Sequence, residues 1–292
     1  MKLALGNSLA MPRIGGAAAF VGPLDDYAAD GLLFYSTRRL LTAFEGVPQR
    51  MRLNPGSDEA DIGFSADWLD VSAAERSTLL GSSGGAITTW YDQLGNRNLA
   101  NATTTQQPDT QIAGTPVSVN SRQAITGTGD SGTTKHLATT SFAHGIGTGD
   151  FFLSLIVKYV SGSSSNNAVF AGTGYTPIFY TKATGTPKPT IYWGGYSYKV
   201  FDTTLVTDTT YVLSFGRESG VLKAWVNGVQ EATTHALATS LATTGFWTFN
   251  AGDAGVGNSG ADDIQEILFF GSALASARDA IMADQKAHAG LA

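Results

Sequence analysis

The side chains able to do chemistry in this 292-residue chain form a short list, because several common options are missing. With no Cys there is no thiol nucleophile, no thiolate zinc site and no disulfide. The four histidines, His136, His144, His235 and His288, lack metal-ligand spacing, and no Ser/His/Asp grouping stands out. Carboxylates and aromatics remain. Asp253, Asp262 and Asp263 could supply oxygens to Ca²⁺, but their order follows no fixed ligand motif, and capping of loop backbone is the favoured reading. No cofactor is expected, with Ca²⁺ as the open alternative. Tyr192, Trp193, Tyr196 and Tyr198 cluster among glycines. Such rings either form a flat platform for a sugar or pack a core as strand residues. Trp90, Tyr91 and Asp92 also suggest sugar contact. Asp92 and Gln93, however, sit where a strand ends, and there an Asp and a Gln usually satisfy loop backbone.

These residues need a scaffold, and the sequence describes one. In YVLSFGRESGVLKAWVNGVQE, Tyr211, Leu213 and Phe215 alternate, as do Leu222, Ala224 and Val226, around a turn at Glu218, Ser219 and Gly220. Asn227 and Gly228 then favour a type I′ turn before a third strand. The run DFFLSLIVKYV, Asp150 to Val160, is apolar on both faces, as a central sandwich strand would be. MRLNPGSDEADIGF reads as two strands around Asn54, Pro55 and Gly56, with Asp58, Glu59 and Asp61 solvated. ITTWYDQLGN is another strand. Three short helices are expected: one capped by Ser36, one from a Ser72/Glu75 capping box to Gly81, and a last one capped at Ser276 and closing near Gly290. Loops rich in Gly, Ser, Thr and Asn, with only 14% charged residues, suit many short strands. The expected fold is an all-β, two-sheet antiparallel sandwich with short peripheral helices and a C-terminal helix.

A net charge of −6 argues against partners held through phosphates, so no nucleic acid is expected. No window approaches the roughly 20 apolar residues of a membrane span, and neither leader nor membrane insertion is expected. Residues 1–24 lack the periodicity to form a core of their own. They are expected either to add a strand to the sandwich at 25–292 or to dock on another subunit as an attachment arm.

Two patterns carry a family resemblance. TTYVLSFGRESGVLKAWVNGVQEAT and ADDIQEILFFGSALASARDAIM resemble the laminin-G-like, concanavalin A-like jelly roll. YSTRRLLTAFEGVPQRMRLNPGSDEADIGF and TTWYDQLGNRNLANAT are similar to the catalytic domain of the α-L-arabinofuranosidase B family. Together they cover Tyr27 to Ala287. The start MKLALGNSLAMPRIGG looks like virion and tail-associated proteins of bacteriophages.

The resemblance implies a jelly roll and, if catalysis were retained, two carboxylates about 5 to 5.5 Å apart. It places Asp253 as acid/base, in a Gly252, Asp253, Ala254 segment where the family has Asn after the Asp. The family's nucleophile would fall between Phe151 and Phe201, a stretch without Asp or Glu. The expectation is therefore a non-enzymatic virion protein of tail fibre, spike or capsid-decoration type, assembled in the host cytoplasm. It would attach to other virion proteins through its N-terminal arm, form a homo-oligomer and bind glycans. The alternatives are a glycoside hydrolase pairing Asp253 with Asp202 or Glu218, and a bacterial carbohydrate-binding adhesin.

Overall fold

The computed structural model describes residues 20–127, 135–160, 166–172, 177–193, 197–237, 239–250 and 260–292. Two layers of antiparallel strands face each other. The front sheet runs, in spatial order, Gly31–Ser36, Asp263–Phe270, Phe151–Tyr159, Thr209–Glu218 and Val221–Val226. The back sheet runs Ser197–Val200, Thr190–Trp193, Ile178–Lys182, Asn167–Gly172, Trp247–Phe249, Leu137–Ala138, Leu99–Ala100, Gly84–Trp90, Gln49–Asn54 and Glu59–Ile62. Hydrogen bonding continues from one layer to the other through Thr126, which pairs with Asp263 and with Asp109 of Asp109–Ile112, a strand that itself pairs with Gly84–Trp90. This is the expected jelly-roll sandwich.

The period of two explains why Phe151–Tyr159 is apolar on both faces. Leu153, Leu155 and Val157 point into the core between the sheets, opposite Phe170, Phe179, Ile191 and Trp247. Phe152 and Ile156 point the other way, into a second core with Val212, Trp225, Leu268 and Phe270. The C-terminal helix Arg278–His288 closes that second core with Ile281 and Met282. A single strand therefore feeds two apolar layers, which makes the front sheet the middle of three.

The turns follow their residues. Ser219 and Gly220 take φ of 51° and 75°, and Asn227 and Gly228 take 52° and 81°, the paired positive values of a type I′ turn. Ser72 caps Ala73–Leu80 by accepting the Glu75 amide at 3.3 Å. The second half of that capping box is absent, since the Glu75 carboxylate accepts the Gly63 amide instead.

Two helix expectations need correction. Residues 31–36 form a strand paired with Asp263–Phe270, so Ser36 ends a strand and gives its hydroxyl to Glu266 at 2.7 Å. The spacing of Leu40, Leu41 and Phe44 is met by turns that tuck both leucines into the second core. The last helix starts at Arg278 after Ala277, with no side-chain cap from Ser276. Residues 1–19 of the expected arm lie outside the described residues. Its final part packs on its own domain: Leu24 is buried in the second core and its amide bonds the Leu40 carbonyl at 3.1 Å.

Candidate functional site

Four strands at one end of the back sheet, Asn167–Gly172 to Ser197–Val200, alternate between the core and the outer face. Phe179, Ile191 and Trp193 face inward. Tyr180 and Tyr192 take the opposite phase and gather on the outer face with Ala168, Ala171 and Ile178. Register places Tyr198 directly beside Tyr192 on the edge strand. Their ring centroids are 5.1 Å apart at 57°, and Tyr198 lies 6.1 Å from Tyr180. Tyr198 and Val200 are each 37% exposed, Tyr192 is half-buried, and Tyr180 lies almost fully buried beneath. The result is an aromatic surface anchored from below, with a solvent-facing ring at its rim.

Trp193 does not belong to this surface. It is 1% exposed, stacks on Phe151 at 6.0 Å and 12°, and receives the Arg217 guanidinium 5.4 Å from its ring. Alternation that points Tyr192 outward must point Trp193 inward. Tyr196 lies outside the described residues. Tyr180 shares the outer-face phase of Tyr192.

The carboxylates are mostly engaged with the protein. Asp92 accepts the amides of Phe34, Leu94, Asn96 and Arg97 at 2.8 to 3.2 Å. Burial still raises its pKa above the usual carboxylate range. Gln93 accepts the Leu40 amide at 2.8 Å and donates to the Arg38 carbonyl at 2.7 Å. Both residues thus bind loop backbone. Glu218 pairs with Lys223 at 2.5 Å and Arg278 at 3.3 Å. The Lys223 hydrogen bond helps hold its carboxyl below the usual range. Asp202 accepts the Thr233 amide and hydroxyl at 2.7 and 2.5 Å. Asp253, the proposed partner of either, lies outside the described residues.

Asp262 is fully buried, where it accepts the Val160 amide at 2.8 Å, the Thr181 hydroxyl and the Asn167 side-chain amide at 3.4 Å. Burial pushes its pKa up to about 7 against these hydrogen bonds. Asp263 faces Lys158 at 3.6 Å. The two neighbours therefore serve different partners. Among the described residues no three His, Cys, Asp or Glu side chains converge as a metal ion would require. Nor is any described helix long and apolar enough to cross a membrane.

No protein-family profile matches this chain, and no curated protein matches it in sequence. Its architecture does have solved counterparts. An arabinofuranosidase complexed with arabinofuranosyl-α-1,2-xylobiose superposes with a TM-score of 0.70 at 13% identity, covering 92% of this chain and 65% of that one. A GH54 α-L-arabinofuranosidase soaked with a cyclic sulfate inhibitor gives 0.67 at 14% identity, with the same coverage. This chain thus spans 65% of the length of those enzymes. What it shares with them over nearly its whole length is the arabinofuranosidase-type jelly-roll sandwich.

Proposed function

We propose that this chain is a carbohydrate-binding jelly roll that holds glycans against the outer face formed by Tyr192 and Tyr198. The pairing of these two rings on an edge strand carries the reading. A rigid aromatic face takes up the C–H side of a sugar ring at little entropic cost, and the Tyr198 hydroxyl can bond its rim. The shared architecture of arabinofuranosidases adds weight by analogy and points to arabinose-containing oligosaccharides as the first class to test. Titration of arabinoxylan oligosaccharides, followed by calorimetry, should give saturable binding that Tyr198→Ala weakens at least threefold. Unchanged binding in that variant would overturn the placement.

A second reading, hydrolysis, is favoured by the same architecture and by Asp253. Purified protein should then release nitrophenol from 4-nitrophenyl α-L-arabinofuranoside in an Asp253-dependent way. Our reading expects no turnover: among the described residues, the two carboxylates suggested as partners of Asp253 are already held by Lys223 and Thr233.

A virion setting is part of the proposal and rests on the sequence alone. Residues 1–19 would attach the sandwich to other virion chains while homo-oligomers present the glycan-binding face. Because Leu24 is anchored in the second core, a chain starting at Phe20 should melt at the same temperature as the full chain and fail to enter particles. Its incorporation at normal levels would remove the attachment role.

A further inference from the structure

At the opposite edge of the back sheet, a groove of about 370 Å³ lies between Phe44, Val47, Asp61, Tyr91, Gly95 and Asn98. That volume falls within the range of small-molecule sites, about 300–1,000 Å³. The segment Trp90, Tyr91, Asp92, Gln93 divides its work. Trp90, Asp92 and Gln93 are buried and hold the core and loop, while Tyr91 is half-exposed and lines the groove. The Tyr91 backbone is fixed by its amide on the Pro48 carbonyl at 2.9 Å. Its phenol donates to Asp61 Oδ1 at 2.9 Å, and Arg50 Nη1 lies 3.5 Å from the same oxygen. The ring is therefore held at both ends before any ligand arrives.

Polar capacity remains on either side of this ring. Asp61 Oδ2 takes no hydrogen bond from any described residue, and the side chain is 44% exposed. Asn98 uses Oδ1 to accept the Asp92 amide at 3.1 Å, leaving its Nδ2 donor without a described acceptor. Gly95, at φ +73°, has no atom within 4 Å of where a Cβ would sit. Gly46 allows the Phe44 ring to lie against it, since a Cβ there would meet that ring at 2.9 Å.

We propose that this groove is a second, independent binding site, for a single neutral sugar ring stacked on Tyr91. Each sugar hydroxyl is both donor and acceptor, so vicinal hydroxyls can donate to Asp61 Oδ2 and accept from Asn98 Nδ2. Phe44 supplies an apolar wall for the C–H face. The exposed Asp61 carboxylate in the lining, whose neighbour Arg50 is shared with Glu59 at 2.9 Å, disfavours phosphorylated or carboxylated ligands, which selects against anions rather than for them. The inference does not rest on the tyrosine face at the other edge of the sheet.

The test is a nuclear magnetic resonance titration of the full chain with methyl β-D-xylopyranoside, and with glucuronate as the anionic control. The neutral glycoside is expected to shift Tyr91 and Asn98 resonances saturably, and glucuronate is not. Tyr91→Ala should abolish the shifts, whereas Tyr91→Phe, which keeps the ring and the fold, should retain binding weakened severalfold. Tyr198→Ala should leave this site unchanged, so loss of the tyrosine-face reading would not remove it. Absence of saturable shifts up to the solubility limit, equal binding of glucuronate, or binding indifferent to Tyr91→Ala would each overturn the proposal.

Discussion

Arg38 and Glu266 form an ion pair sealed beneath the C-terminal helix, with Nε 2.8 Å from Oε2 and the Glu266 side chain fully buried. The carboxylate also accepts the Ser36 hydroxyl at 2.7 Å and the Gln285 side-chain amide at 3.1 Å. Arg38 reaches Asp284 of the helix as well, at 2.5 Å. These contacts tie the end of the first front strand, the C-terminal strand and the final helix into one polar unit. A buried pair is costly to assemble and costlier to break singly. Arg38→Met should therefore destabilise the protein by about 3–5 kcal/mol in urea unfolding, and adding Glu266→Gln should recover part of the loss. A near-neutral single variant would show that the helix does not seal this pair.

Trp225 packs on Phe152 with ring centroids 6.0 Å apart, and Arg278 of the final helix lies 4.5 Å over its ring. It is one of the large side chains through which the front sheet meets the helix. Trp225→Ala should cost about 3–5 kcal/mol, measured as a shift in urea midpoint at constant slope. A change in slope would instead mean that the helix detaches before the sandwich unfolds.

The separation of Tyr192 from Trp193 gives a paired expectation. Trp193→Ala removes a core ring and should lower stability by about 3–5 kcal/mol. Tyr198→Ala, at a 37% exposed edge position, should stay within about 1 kcal/mol of the parent while losing glycan affinity. The check is calorimetric melting of both variants beside the same glycan titration.

Asp262 supplies a pH dependence of definite sign. Its folded pKa, raised by burial to about 7, exceeds its ordinary value of 3.8, so the fold favours the neutral carboxyl. Its contribution is fully present below about pH 3.8 and is lost as pH rises through 7. Asp262→Asn should gain stability relative to the parent between pH 4.5 and pH 8, while still accepting from Val160 and donating to Thr181. Parallel stability curves for the two proteins across that range would contradict the assignment.

Much of this fold was legible in the sequence because local pattern dictates it. Alternation marked Tyr211 to Phe215 and Leu222 to Val226, and the Asn227, Gly228 pair set its turn. What pattern lacks is phase and distance. Alternation alone does not say whether Tyr192 or Trp193 faces out; the strands on either side decide that. Ser36 looked like a cap because its real partner, Glu266, lies 230 residues away. Asp92 and Gln93 were readable as loop holders from their position at a strand end. Tyr91, just before them, was not separable, because its groove is completed by Asp61 and Phe44 from other segments.

The central claim, that the Tyr192 and Tyr198 face holds glycans, is tested most directly by mapping bound sugar onto the protein. Saturation-transfer and chemical-shift experiments with arabinoxylan oligosaccharides should perturb Tyr192, Tyr198 and Val200 together, and Tyr192→Ala with Tyr198→Ala should abolish that response while the melting temperature stays within a few degrees. A response of Val200 that persists in the double variant, or shifts in the parent protein confined to residues away from this edge of the back sheet, would contradict it.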